Sequence, residues 1–261
     1  MQQSKLASRL GFALCVLLFI FALGFYFHVP LIQEQWIWPK KTSALGFAFI
    51  GAWFAGGVAP LIWSGLTRQY SPLRALSFAG LIATAGTAGL LYSKHNLEGN
   101  ERYFPFFVIF AAAFIGIVYV FIKSNRGSIP GDNKISPVIR WVFLAFALLL
   151  FFFGLGLVLN KPDIFPIALS PDMQDVYGWF FLGSCAYFFY GFLRPTRYNA
   201  IGPMISFLIY DIMLIPPYVN YASEVPEEMK TSLTIYLCVL FSSAIFCIYY
   251  LFFDRRTRMF K

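Results

Sequence analysis

Asp211 is the one carboxylate set deep within an apolar run of this chain. It lies in the stretch Ser206–Tyr221, five residues ahead of the pair Pro216 and Pro217. Proline has no N–H, so in a helix the carbonyls of Ile212 and Met213 lose their usual partners. A carboxylate and two released carbonyls then fall within one turn, and all are acceptors. Such a group calls for a donor: a bound cation, water, a tyrosine hydroxyl, a descending Arg or Lys, or a proton on Asp211 itself. Asp211, Ile212, Met213, Pro216 and Pro217 are therefore the candidate ligand-binding residues, suited to a cationic or polar group. The competing expectation is structural: Asp211 is tied by a neighbouring hydroxyl, amide or water, and its helix stops near Ile215.

Other chemistry is sparse. His28 and His95 fall at helix ends with no further ligands around them, so neither a metal nor a haem is expected. No Lys lies within a span to form a Schiff base. The sequence contains no G-x-S-x-G, H-E-x-x-H, Walker loop or dinucleotide fingerprint. No catalytic residue and no cofactor is assigned, and the reading is non-enzymatic. Cys15, Cys185, Cys238 and Cys247 all lie inside apolar spans and read as small buried thiols.

The elements that position Asp211 follow from composition. The chain is 59% hydrophobic, 20% aromatic and only 12% charged, well outside the range of soluble domains. Eight apolar stretches, near 8–28, 44–66, 74–93, 104–123, 138–159, 176–193, 199–219 and 231–253, suit a hydrocarbon core crossed by roughly 17–25 helical residues. Each must be helical, because lipid satisfies no backbone group. The first apolar run is too long for a signal peptide and lacks a small-residue cleavage site, so it reads as a retained helix. From Tyr198, thirteen residues at about 1.5 Å each place Asp211 past the bilayer midplane. Facing lipid there would cost an ionised carboxylate about 3 kcal/mol, so it should face protein or water.

Charge sets the orientation. The N-terminus, alternate loops and C-terminal tail hold 14 of the 20 Lys and Arg, while the opposite loops carry nine of the twelve acids. By the positive-inside rule both termini are cytoplasmic. The net charge of +8 thus reflects topology rather than nucleic-acid binding. The tail DRRTRMFK reads as a solvated or headgroup-facing segment.

The chain also resembles itself. Leu23, Gly24 and Pro30 match Leu155, Gly156 and Pro162; Pro39, Ser43, Gly51, Phe54 and Gly56 match Pro166, Ser170, Gly178, Phe181 and Gly183. The fourth and eighth spans align through Phe110/Phe241, Ala113/Ala244, Ile117/Ile248, Tyr119/Tyr250 and Phe121/Phe252. Two four-helix repeats, 1–128 and 129–261, are expected, joined by the turn-rich linker 123–137. An even number of spans per half makes the repeats parallel. The third and seventh spans match worst: the third carries Gly80, Thr84, Ala88, Ala85 and Gly89 at close-packing spacing, the seventh carries Asp211. The loops after the first and fifth spans are repeat partners, with Trp36 and Trp38 expected as headgroup anchors or as flaps over an outer vestibule.

The fold class is thus an all-α polytopic membrane protein: eight transmembrane helices as two parallel four-helix repeats, N-in and C-in, in the cell membrane, by its short loops a bacterial cytoplasmic one. Its partners are the lipid bilayer and a small-molecule or lipid ligand held between the halves, in a transporter-like manner. The rival expectation is a non-catalytic structural or assembly subunit beside another membrane protein.

Overall fold

The structure, a computed structural model, describes residues 2–67, 69, 72–125 and 134–259. Eight long helices dominate: α1 (Gln2–Tyr26), α2 (Ala44–Thr67), α3 (Leu73–Glu98), α4 (Tyr103–Asn125), α5 (Pro137–Val158), α6 (Pro171–Leu193), α7 (Arg197–Tyr221) and α8 (Lys230–Ile248), the last continuing into a π-helical turn, Tyr249–Phe253. The helices α2 to α7 and the segment Glu227–Phe253 are each long and apolar enough to cross a membrane; α1 contributes the shorter apolar stretch Cys15–Tyr26. Most of the linker, 126–133, lies outside the described residues.

The helix ends exceed the apolar runs where charges support each other. The third and sixth spans were expected to end at 93 and begin at 176, yet α3 runs on to Glu98 and α6 begins at Pro171. Lys94 and Asp172, on these two extensions, are joined Nζ to Oδ1 at 2.5 Å. α7 also departs from expectation: it does not stop near Ile215 but passes through Pro203, Pro216 and Pro217 as one helix. In an apolar setting the remaining backbone bonds have no competitor, so the helix survives the loss of the three that these prolines remove.

Two terminations are built alike. α1 ends with Val29 N–H bonded to Gly24 C=O and His28 N–H to Phe25 C=O, with His28 at φ 58°. α5 ends with Lys161 N–H bonded to Gly156 C=O and Asn160 N–H to Leu157 C=O, with Asn160 at φ 51°. Both are Schellman caps, with His and Asn in the left-handed position that few side chains tolerate. Each cap sends the following loop back over its own helix. Trp36, Ile37 and Trp38 are buried there, and Trp36 meets Phe25 edge-on at 5.8 Å. Trp36 and Trp38 are therefore core residues rather than exposed anchors, since burying a large ring gains more than leaving it in contact with headgroups. Phe165 and Ile167 are buried likewise after α5.

The chain divides into two compact units, residues 1–73 with 201–261, and residues 74–200. In the first, α1 lies against α2 so closely that a β-carbon on Gly51 would stand 2.6 Å from the Ala22 carbonyl oxygen. α2 meets α7 through Gly56, where a β-carbon would stand 2.8 Å from Ser206 O, and Phe49 meets Tyr210 edge-on at 5.9 Å. In the second unit, a β-carbon on Gly178 of α6 would stand 2.9 Å from Gly154 O of α5, and one on Gly183 would stand 2.8 Å from Ala79 O of α3. Along the other edge of α3, Phe78 meets Phe121 of α4 at 6.3 Å, and the Arg74 guanidinium donates to Ser124 O. The compact units thus draw on both sequence halves, because the glycines of α2 and α6 seat on α7 and α3.

Backbone contact leaves no room to yield. Gly51→Ala and Gly178→Ala are each expected to lower stability by about 1–3 kcal/mol, whereas Gly57→Ala, whose β-carbon meets nothing within 4 Å, should stay within about 0.5 kcal/mol of the parent. Thermal midpoints of the three variants in one detergent check this.

A buried polar centre around Asp211

Asp211 sits in the middle of α7 with 1% of its surface exposed. Ser243 of α8 is the hydroxyl facing its carboxyl group, and Cys247, one turn further along α8, lies beside both. Ser243 and Cys247 are themselves buried. Yet Asp211 Oδ2 and Ser243 Oγ each lack a hydrogen-bond partner. The two groups face one another without a bond that meets normal distance and angle. Among the described residues no ion pair reaches Asp211 either. An unpaired polar group in such a place carries a desolvation cost of roughly 1–3 kcal/mol, more if charged.

Around this centre α7 and α8 are joined by tyrosines. The hydroxyls of Tyr210 and Tyr236 are 2.5 Å apart, and the rings of Tyr218 and Tyr236 are 5.0 Å apart. Two further hydroxyls of this unit, Ser64 Oγ on α2 and Ser206 Oγ on α7, are buried with no hydrogen-bond partner.

The sequence-selected residues separate in space. Asp211 is buried, Ile212 and Pro216 are exposed, and Met213 and Pro217 are intermediate. Ile212 and Pro216 share the outward face of α7, away from the buried face that carries Asp211. Ser243 and Cys247 were not selected from the sequence. Cys247 had been read only as a packed thiol, and Ser243 stands in a span rich in small residues, so the only available signal was their spacing of one turn.

The remaining candidates find ordinary places. His28 Nε2 lies 3.0 Å from Ala44 O and His95 Nδ1 lies 3.3 Å from Asn100 O, each a contact that the protonated ring nitrogen donates. No cluster of three or more metal-binding side chains occurs among the described residues. All four cysteines are free; Cys247 is buried, Cys15 and Cys185 are half-buried, and Cys238 is exposed rather than buried as expected. In the tail, Thr257 is buried and donates its hydroxyl to Tyr250 O at 2.6 Å, so residues 254–259 fold back as a turn with Arg255, Arg256 and Arg258 outward.

The length and apolarity of these helices define a multi-pass membrane protein. Compared with known families, with curated proteins and with solved structures, the chain matches none.

The tyrosine contact is expected to couple α7 to α8 energetically. A double-mutant cycle with Tyr210→Phe and Tyr236→Phe should give an interaction energy of about 1 kcal/mol in thermal or denaturant unfolding; simple additivity would deny the coupling.

Proposed function

We propose that this chain is an eight-span protein of a bacterial cytoplasmic membrane, built from two parallel four-helix repeats with both termini cytoplasmic, that binds a cationic or hydrogen-donating group at Asp211 in a transporter-like manner. The observation that carries the binding reading is the carboxylate itself: almost fully buried, with no counter-ion, facing a hydroxyl that also lacks a partner. Intramembrane acids without a fixed partner are expensive and mark pathways for ions or protons.

The repeat is supported by close approaches at matched positions. Gly51 lies on Ala22 and Tyr26 as Gly178 lies on Gly154 and Val158. Gly56 lies on Ser206 and Tyr210 as Gly183 lies on Ala79 and Ala83. Ile32 folds over Gly24 as Ile164 folds over Gly156, and the two Schellman caps coincide. All these pairs hold the sequence offsets of the repeat, which a chance likeness would not keep. They extend it to α3 and α7, where sequence identity fades. Under this reading helices of both halves meet in the unit that holds Asp211, with α2 seated on α7 beside Tyr210.

A second reading, a structural or assembly subunit of a membrane complex, is favoured by α4. Among its described side chains only Tyr103 is buried, although its sequence is among the most apolar of the spans. Such a helix offers a long apolar flank to lipid or to another protein.

The test compares Asp211→Asn and Asp211→Leu for folded yield and thermal midpoint in detergent, with mass by light scattering. Binding predicts that both variants fold and that Leu is neutral or stabilising by about 1–4 kcal/mol, as when buried charged groups are replaced by apolar ones. Collapse of both variants would make Asp211 a structural tie. A parent protein found only in a larger assembly would transfer support to the subunit reading.

A further inference from the structure

A groove of about 640 Å³ opens in the second unit, lined by α3 through Ile82, Ala85, Gly86, Gly89, Leu90 and Ser93, and walled by Val158, Asp175 and Trp179. Its size falls within the range of ligand sites. Trp179 lies on the bare backbone of Gly86, where a β-carbon would stand 1.9 Å from the indole. By contrast a β-carbon on Gly89 would meet nothing within 4 Å. The indole therefore forms a fixed wall, and the floor beside it is open.

The groove is polar at one end only. From Ile82 to Ser93 it follows α3 for about 16 Å at 1.5 Å per residue, close to half of a hydrocarbon core about 30 Å thick. Ser93 and Asp175 mark the end nearest the loops, while Ile82 and Ala85 mark the end toward the middle of α3. Charge is unbalanced at the polar end. Lys94 is engaged by Asp172 at 2.5 Å and Glu98 at 3.6 Å. Asp175 makes no ion pair and takes one hydrogen bond, from Asn160 Nδ2 at 3.3 Å. The Asp175 carboxylate, outside the ion pairs of Lys94, thus stands on the groove wall with an indole that attracts cations.

We propose that this groove holds one acyl chain of a membrane lipid with an ammonium headgroup, the chain lying along Gly89 and Gly86 and the ammonium placed at Asp175. An anionic headgroup would meet the Asp175 carboxylate, and a soluble ligand would leave the apolar length of the groove unfilled. The site is separate from Asp211 and needs none of the chemistry proposed there.

The test places the full-length protein in phosphatidylglycerol vesicles doped with phosphatidylethanolamine carrying brominated acyl chains, and reads the quenching due to Trp179 by difference from Trp179→Phe. Quenching of the parent is expected at about tenfold lower fractions of brominated phosphatidylethanolamine than in Asp175→Asn, the effect of losing one charge-assisted contact. Gly89→Leu, which fills the groove without striking the fold, should abolish this high-affinity phase. Brominated phosphatidylglycerol should show no such phase in any variant. Quenching unchanged in both Gly89→Leu and Asp175→Asn, or equal for the two brominated lipids, would overturn the proposal; so would loss of the phase in an Asp211 variant that keeps the parent's folded yield and thermal midpoint.

Discussion

The structure rests on a constraint of the bilayer: hydrocarbon offers no partner for a backbone N–H or C=O, and it offers little hydrophobic drive to press one helix against another. Helices must then be held by close packing, which is best where a side chain is missing. Gly51 and Gly56 on α2, and Gly178 and Gly183 on α6, supply this on both faces of the helix that each unit is built around. Because the contact at each is with backbone carbonyls, the spacing of α1, α2 and α7, and of α5, α6 and α3, is set by atoms that no rotamer change can move. The positions around these contacts remain free to vary.

That freedom is where the two units differ. By the offset that relates Gly56 to Gly183, Asp211 corresponds to Thr84, whose hydroxyl donates to Gly80 O of its own helix at 2.6 Å. Ile212, Met213, Pro216 and Pro217 correspond to Ala85, Gly86, Gly89 and Leu90, four of the residues lining the groove. Under the proposed repeat, volume is exchanged at the same place: α3 has Gly86 beneath Trp179 of α6, whereas the corresponding positions of α7 and α2 are Met213 and Ala52. Under the proposed repeat, one ancestral face has become an open groove in one unit and a bulkier surface around a buried carboxylate in the other.

The spans were legible because each is an average over some twenty residues, and an average survives local exceptions. Helix ends were not, because Lys94 and Asp172 extend α3 and α6 by pairing across a sequence separation that no local pattern reveals. Trp36 and Trp38 misled for a similar reason: composition gives an interfacial aromatic and a buried one the same letter, and only the cap at His28 turns the loop inward. Pro216 and Pro217 suggested a break, but a helix packed among others in an apolar setting tolerates them. The small residues of α3, Gly80, Thr84 and Ala88 on one face and Ala85 and Gly89 on another, mark it in the sequence as a packing element. Ala79 and Ala83 do pack, against Gly183, and Gly80 against Ile117, while Gly89 faces open space. The sequence records the absence of a side chain at Gly89 without saying what comes near it.

Asp211 shows how far such an argument carries. Its burial was legible, since a lone acid deep in a span must avoid lipid; its partner was not, since Ser243 lies on another helix. A serine does not discharge the cost of a buried carboxylate, as one hydroxyl supplies one donor against two acceptor oxygens. Here even that bond is unmade. The tyrosine pair also joins α7 to α8 nearby. Under the proposed binding role, that cost is met by a donor the carboxylate receives in use. Either a stability gain from Leu at this position or a retained cation would be the expression of that imbalance.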